Sequence, residues 1–187
     1  MSLAEWDERH RAADDVNRRS ERAASPRPTP VLSQAVESLP PGNALDLACG
    51  RGEDALWLAQ NGWSVTAVDG SPAAIGILTR DAQQLNLRIQ THIANLEAHE
   101  FSIAAGEWDL IVICKYFQPD LYERAIPGLT PGGVMVATAL LAAPGKHQHR
   151  VAHGQFTSYF EGLEILHSEE TKGAHPIAEI VARRVVA

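Results

Sequence analysis

Asp46, Gly50, Gly52 and Asp69 are spaced so that two acids flank a short, nearly side-chain-free stretch of backbone. The first three lie in NALDLACGRGEDALWL, residues 43–58, and the fourth ends SVTAVD, residues 64–69. The longer stretch opens as a buried apolar run and closes as an amphipathic one, which predicts strand, tight loop and helix. Glycines in such a loop reach unusual backbone angles and let a ligand approach the main chain. The helix that follows turns its unpaired N–H groups toward that ligand. In an open parallel sheet ligands bind beyond the carboxyl ends of the strands, and an acid ending the second strand accepts hydrogen bonds from ribose hydroxyls. The chemistry predicted is adenosine binding.

Two cofactors compete for the loop. Gly50-Arg-Gly52-Glu-Asp-Ala55 fits G-x-G-x-x-G/A with Asp69 downstream, which predicts an NAD-dependent enzyme. Asp46 favours S-adenosylmethionine instead. A carboxylate there attracts a cationic amino group, directly or through water, and repels a diphosphate. Little chain remains for a second domain that would house hydride chemistry.

The elements that position these residues alternate. Strands are predicted at Ala44–Cys49, Ser64–Val68, Leu87–Ala94, Trp108–Cys114 and Val134–Leu140, the last entered through a Pro131-Gly-Gly133 turn. Helices are predicted at Glu53–Asn61, from Ser71 to Leu85, and at Pro119–Ile126. Ser71-Pro72 is a hydroxyl cap followed by proline at the first helical position. WDLIVIC is almost wholly apolar, as a parallel strand covered on both faces should be. Two late strands, near 163–168 and 176–184, form an antiparallel pair. The fold class expected is α/β, a doubly wound, Rossmann-like, seven-stranded and mostly parallel sheet with an antiparallel last strand. Residues 1–40 read as an N-terminal helical lid or extension, broken by Pro26, Pro28 and Pro30. Residues 41–187 read as the main domain.

The chain has 187 residues and a net charge of −7, which weighs against a nucleic-acid partner. No signal peptide is visible. The apolar run Val134–Ala143 is far shorter than the ~20 residues of a membrane helix. A cytoplasmic protein, monomeric or homodimeric, is expected. Cys49 and Cys114 make no disulfide framework.

Ala44–Ser71, with Trp6-Asp-Glu-Arg9 and Leu129-Thr-Pro-Gly-Gly133, resembles class I S-adenosylmethionine-dependent methyltransferases, and most of all the small bacterial tellurite-resistance and thiopurine S-methyltransferase-like group. The resemblance implies a cofactor site of Asp46, Ala48, Cys49, Gly50, Gly52, Asp69, Gly70, Ser71, Asn95, Leu96 and Cys114. Ala48 stands where the family has its first loop glycine, and fits if its φ is negative. Asn95 replaces an acid near the adenine amino group and can accept through its carbonyl oxygen. The same resemblance makes Trp6 and Arg9 part of a lid.

The resemblance implies methyl transfer to a small-molecule acceptor, with a thiol or a chalcogen oxyanion in view. Methyl transfer from a sulfonium is an in-line displacement that needs positioning and exclusion of water. A soft nucleophile requires no strong base, so no catalytic triad is expected. Lys115, Tyr116 and Phe117 follow the fourth strand and are candidates to face the methyl group; packing under the next helix is the competing reading. His147, His149 and His153 read first as a solvated basic loop, second as an anion-binding loop, and last as a zinc site. Cys49 and Cys114 read first as small core residues. A cofactor-binding regulator without transferase activity is the non-enzyme alternative.

Overall fold

The computed structural model describes residues 2–17, 26–143 and 149–186, with side chains of residues 13–17 left out. Seven strands run in the order β3-β2-β1-β4-β5-β7-β6, the expected mixed sheet with β7 antiparallel to both of its neighbours. The chain divides into two compact units: Met1–Thr29 with Pro41–Phe101, and Pro30–Pro40 with Ser102–Ala187. The first forty residues are thus shared between the units.

The first unit holds α1 (Leu3–Asn17), β1 (Asn43–Leu47), α3 (Glu53–Gln60), β2 (Ser64–Asp69), α4 (Pro72–Gln84) and β3 (Ile89–Ile93). β1 pairs in parallel with β2, and β2 with β3. Ala44, Leu45, Leu47, Ala67 and Val68 are fully buried. Their burial leaves Asp46 as the one acid inside β1. Ser71 caps α4 by accepting from the Ala74 N–H at 3.1 Å, with Pro72 behind it. A buried polar tie closes the unit's entry. Thr29 donates its N–H to Asp54 Oδ1 at 2.6 Å and its hydroxyl to Asp54 Oδ2 at 2.9 Å.

The second unit holds α2 (Pro30–Val36), β4 (Trp108–Cys114), α5 (Pro119–Ala125), β5 (Leu129–Leu140), a short 3-10 turn (Phe156–Phe160), β6 (Leu163–Glu170) and β7 (Ile177–Arg184). Its core is the apolar run of β4 against the middle of β5. Expectation and structure differ at the start of β5. The strand begins at Leu129, not Val134, and Pro131-Gly-Gly133 is a bulge within it. Trp108 pairs with Leu129 and Leu110 with Val134, so residues 130–133 loop out opposite Asp109. The Thr130 hydroxyl donates to Asp109 Oδ1 at 3.0 Å and fastens that bulge.

Candidate cofactor site

The loop between β1 and α3 is wound by alternating left-handed residues: Ala48 (φ 56°), Gly50 (φ 54°) and Gly52 (φ 76°). Asp69, at the end of β2, holds it in place. One carboxylate oxygen accepts the Gly50 N–H and the other the Ser71 N–H, both at 2.8 Å. Each oxygen keeps a second lone pair for a hydroxyl donor. Ala48 departs from the expected negative φ. A left-handed L-residue costs on the order of 1 kcal/mol. Ala48→Gly is therefore expected to raise stability by about 0.5–1 kcal/mol despite glycine's looser unfolded chain. A urea midpoint that rises at constant m-value would show it.

Asp46 is 2 % exposed. The Ala55 backbone N–H bonds its carboxylate, but Oδ2 has no partner. Burial pushes its carboxyl well above the usual range, and the charges of Asp54 and Asp69 push it the same way. An orphaned buried carboxylate oxygen is a costly feature for a fold to retain. Three acids beside one bare loop suit a cationic ligand and oppose a diphosphate. The residues present fit S-adenosylmethionine: Asp46 for its cationic amino-acid end, Asp69 for its ribose.

Cys49 supports the loop as a neutral thiol. Burial, then the charges of Asp46 and Asp69, push its pKa well up, so it is no thiolate nucleophile. Leu96 is buried at the turn after β3. Asn95 is committed differently from expectation. Its side-chain oxygen accepts the N–H groups of Glu97 at 3.0 Å and Ala98 at 3.3 Å. That turn occupies the acceptor that was expected to face the adenine. Gly70 lies against α1: a Cβ there would sit 2.6 Å from a Leu3 methyl.

Two residues of α1 escaped the sequence reading. Asp7 Oδ1 accepts the Ser71 hydroxyl at 2.6 Å and the Ala73 N–H at 2.9 Å, which holds its carboxyl below the usual range. His10 is half-buried, and its ring lies 3.6 Å from where a Cβ on Gly50 would stand. Burial lowers its pKa, against the pull of Asp69. The signal was in the spacing, since Trp6 and His10 at i, i+4 share a helix face. Their rings stack at 6.2 Å, and the Arg9 guanidinium lies 5.2 Å from the Trp6 ring centre.

The acceptor candidates belong to the second unit. Lys115 is exposed, has φ 56°, and donates its N–H to the Thr138 hydroxyl at 2.8 Å. Tyr116 donates its hydroxyl to Gln118 Oε1 at 2.9 Å. Phe117 packs edge-on against Tyr159, 5.3 Å between ring centres, in a cluster with Tyr122 and Phe156. The packing reading therefore describes Phe117. Cys114 is half-buried at the end of β4. His153 pairs with Glu170 at 2.9 Å, and His149 has a left-handed backbone. His147 lies outside the described residues. Among the described residues, no three metal-ligating side chains group together. Nor, among them, is any helix long and apolar enough to cross a membrane.

Sheet order, glycine loop and paired acids are those expected of the Rossmann-like, mostly parallel seven-stranded fold. Comparison with known proteins agrees: residues 44–133 match the family model described as a methyltransferase domain. The probable S-adenosyl-L-methionine-dependent methyltransferase TehB of Haemophilus influenzae is 24% identical over 151 residues, 74% of this chain and 52% of that protein. Its crystal structure superposes with a TM-score of 0.76 over 83% of this chain and 62% of that one, at 22% identity, which shows the shared fold. A protein of Eikenella corrodens named hemagglutinin 1 is 41% identical over 152 residues, 76% of this chain and 51% of that protein. The chain spans about half the length of these curated relatives.

Proposed function

We propose that this protein transfers the methyl group of S-adenosylmethionine to a small-molecule acceptor, with a thiol or a chalcogen oxyanion as the first classes to test. The observation that carries the cofactor half is the buried, unpartnered Asp46 Oδ2 beside Asp54, Asp69 and the 48–52 loop. A cationic sulfonium amino acid joined to adenosine answers both Asp46 and Asp69. A dinucleotide fits the glycine spacing but brings a diphosphate toward the same charges.

When bound, the cofactor supplies an electrophilic methyl on a cationic sulfur. Transfer would join the acceptor's lone pair to that methyl and return the broken carbon–sulfur pair to sulfur. A thiol acceptor gives its proton to solvent. This chain's own part is to hold the cofactor and keep the acceptor in line. Asp69 fixes the loop and binds ribose. In the second unit, Lys115 and Tyr116 follow β4 and are the acceptor-binding candidates. The soft acceptor is supported by the family likeness and by the lack of any need for a strong base. Cys49 and Cys114 are both reduced, which suits a reducing cytoplasm, where we place the protein as a monomer or homodimer.

The test is methyl-labelled S-adenosylmethionine with a panel of small thiols, selenite, tellurite, amines and phenols. Label transfer to thiol or chalcogen supports the reading. Transfer only to amines or phenols moves the acceptor class. Binding without transfer to any acceptor supports the regulator instead.

A further inference from the structure

Helix α1 packs within the first unit where the cofactor residues lie, through few contacts among its described side chains. Leu3 lies against Gly70, His10 against Gly50, and Asp7 against Ser71 and Ala73. Among the described side chains of α1, residues 3–12, Asp7 alone is buried. Among these described side chains there is no buried apolar stripe, so hydrophobic packing holds residues 3–12 only weakly. One carboxylate supplies the hydrogen bonds from these described side chains to α4. Asp7 Oδ1 accepts two hydrogen bonds from the start of α4, while Oδ2 pairs with Arg11 at 2.6 Å. The partners stand 64 and 66 residues away in sequence, so the contact is tertiary and not local helix geometry.

We propose that Asp7 is a positioning residue, a polar latch that keeps His10 over the glycine loop and so retains the bound cofactor. The inference rests on the cofactor reading given above. Ser71 sits at the centre of the latch. It gives its hydroxyl hydrogen to Asp7 and its N–H to Asp69, so the latch and the ribose-binding acid share one residue. Closing α1 brings His10 against Gly50 beside Asp69, and this contact restrains the ligand's escape. Elements held by few buried contacts open readily, so α1 opens for entry and closes for retention.

The geometry separates acceptor from charge. Asparagine keeps a carbonyl oxygen for the Ser71 hydroxyl and the Ala73 N–H; alanine keeps neither. We expect Asp7→Ala to speed S-adenosylhomocysteine dissociation and weaken its binding by about tenfold, as when the competent, docked state falls to roughly a tenth. Asp7→Asn should change both by less than about threefold. Glu5→Gln, on the same helix and exposed, should change neither. Hydrogen exchange read in parallel should show residues 3–12 protected by S-adenosylhomocysteine in the wild type and in Asp7→Asn, but not in Asp7→Ala. Unchanged dissociation in Asp7→Ala, or equal losses in Asp7→Ala and Asp7→Asn, overturns the latch. Tighter binding by Asp7→Ala also overturns it, because α1 would then be a plug. A wild type that binds no S-adenosylhomocysteine would instead refute the cofactor reading, so the two failures are distinct.

Discussion

Replacing Asp46 by asparagine is expected to weaken cofactor binding about ten- to a hundredfold while leaving the protein as stable as before, or more so. The two effects share a cause. In the free protein Asp46 is buried, one oxygen lacks a partner, and its carboxyl is held well above the usual range. A native acid with a raised pKa binds its proton more tightly than in the unfolded chain. Between the unfolded and native values the native state carries more protons, so stability falls as pH rises through that window. Asparagine removes this loss, and the variant's advantage should grow across the same window and then level off. Binding runs the other way. A cationic amino group requires the carboxylate, so the wild type should release a proton on binding, and its affinity should rise with pH until Asp46 ionises unaided. Losing a charge-assisted partner of this kind costs roughly 1.5–3 kcal/mol, about ten- to a hundredfold in Kd. Calorimetry in two buffers of different ionisation heat, beside thermal melts at several pH values, reads both effects. An Asp46→Asn protein that binds S-adenosylhomocysteine like the wild type would remove Asp46 from the site.

Gly52→Ala is expected to be the most damaging single methyl in the loop. Gly52 has φ 76°, where an added side chain is strained. Its Cβ would also overlap one methyl of Leu78 and stand 2.8 Å from the other. Leu78 is fully buried, so there is no space to yield into. Backbone strain of about 1–2 kcal/mol adds to overpacking of about 1–3 kcal/mol. For a domain of this size that is a fall in Tm of roughly 5–15 °C. Gly50→Ala is the control. Its φ is 54°, and the nearest atom to its Cβ would be the His10 ring at an ordinary 3.6 Å. It should lose only the strain, roughly half as much or less. Equal melting points for the two variants would mean that Leu78 moves freely, contrary to the packing described.

Much of this was readable from residue pattern. β4 is as predicted, because seven consecutive strand residues between clear turn signals leave little choice of period. Ser71-Pro72 marked the start of α4 because capping is local chemistry. Expectation and structure part where backbone winding, register or a hydrogen-bond partner decides a residue's role. Ala48 looked compatible with a negative φ, but the loop's alternating left-handed winding imposes the opposite sign. Asn95 looked like an adenine acceptor, yet local N–H groups claim its oxygen first. Pro131-Gly-Gly133 looked like a turn and is a bulge, because the register with β4 resumes only at Val134. Asp7 was passed over as one charge among many, since nothing in WDERH shows a partner beyond residue 70. The glycine loop and its flanking acids were legible; the tertiary contacts of α1 were not.

The central claim is that the site recognises adenosine carrying a cationic amino acid. The direct measurement is calorimetric titration of the intact protein with S-adenosylhomocysteine, 5′-methylthioadenosine and NAD under one condition. Methylthioadenosine keeps the nucleoside and sulfur but lacks the amino acid. The account predicts that S-adenosylhomocysteine binds at least about tenfold tighter than methylthioadenosine, with NAD weakest. Equal affinity for the two thioethers, or preference for NAD, would contradict it and return Gly50-Arg-Gly52-Glu-Asp-Ala55 to a dinucleotide fingerprint.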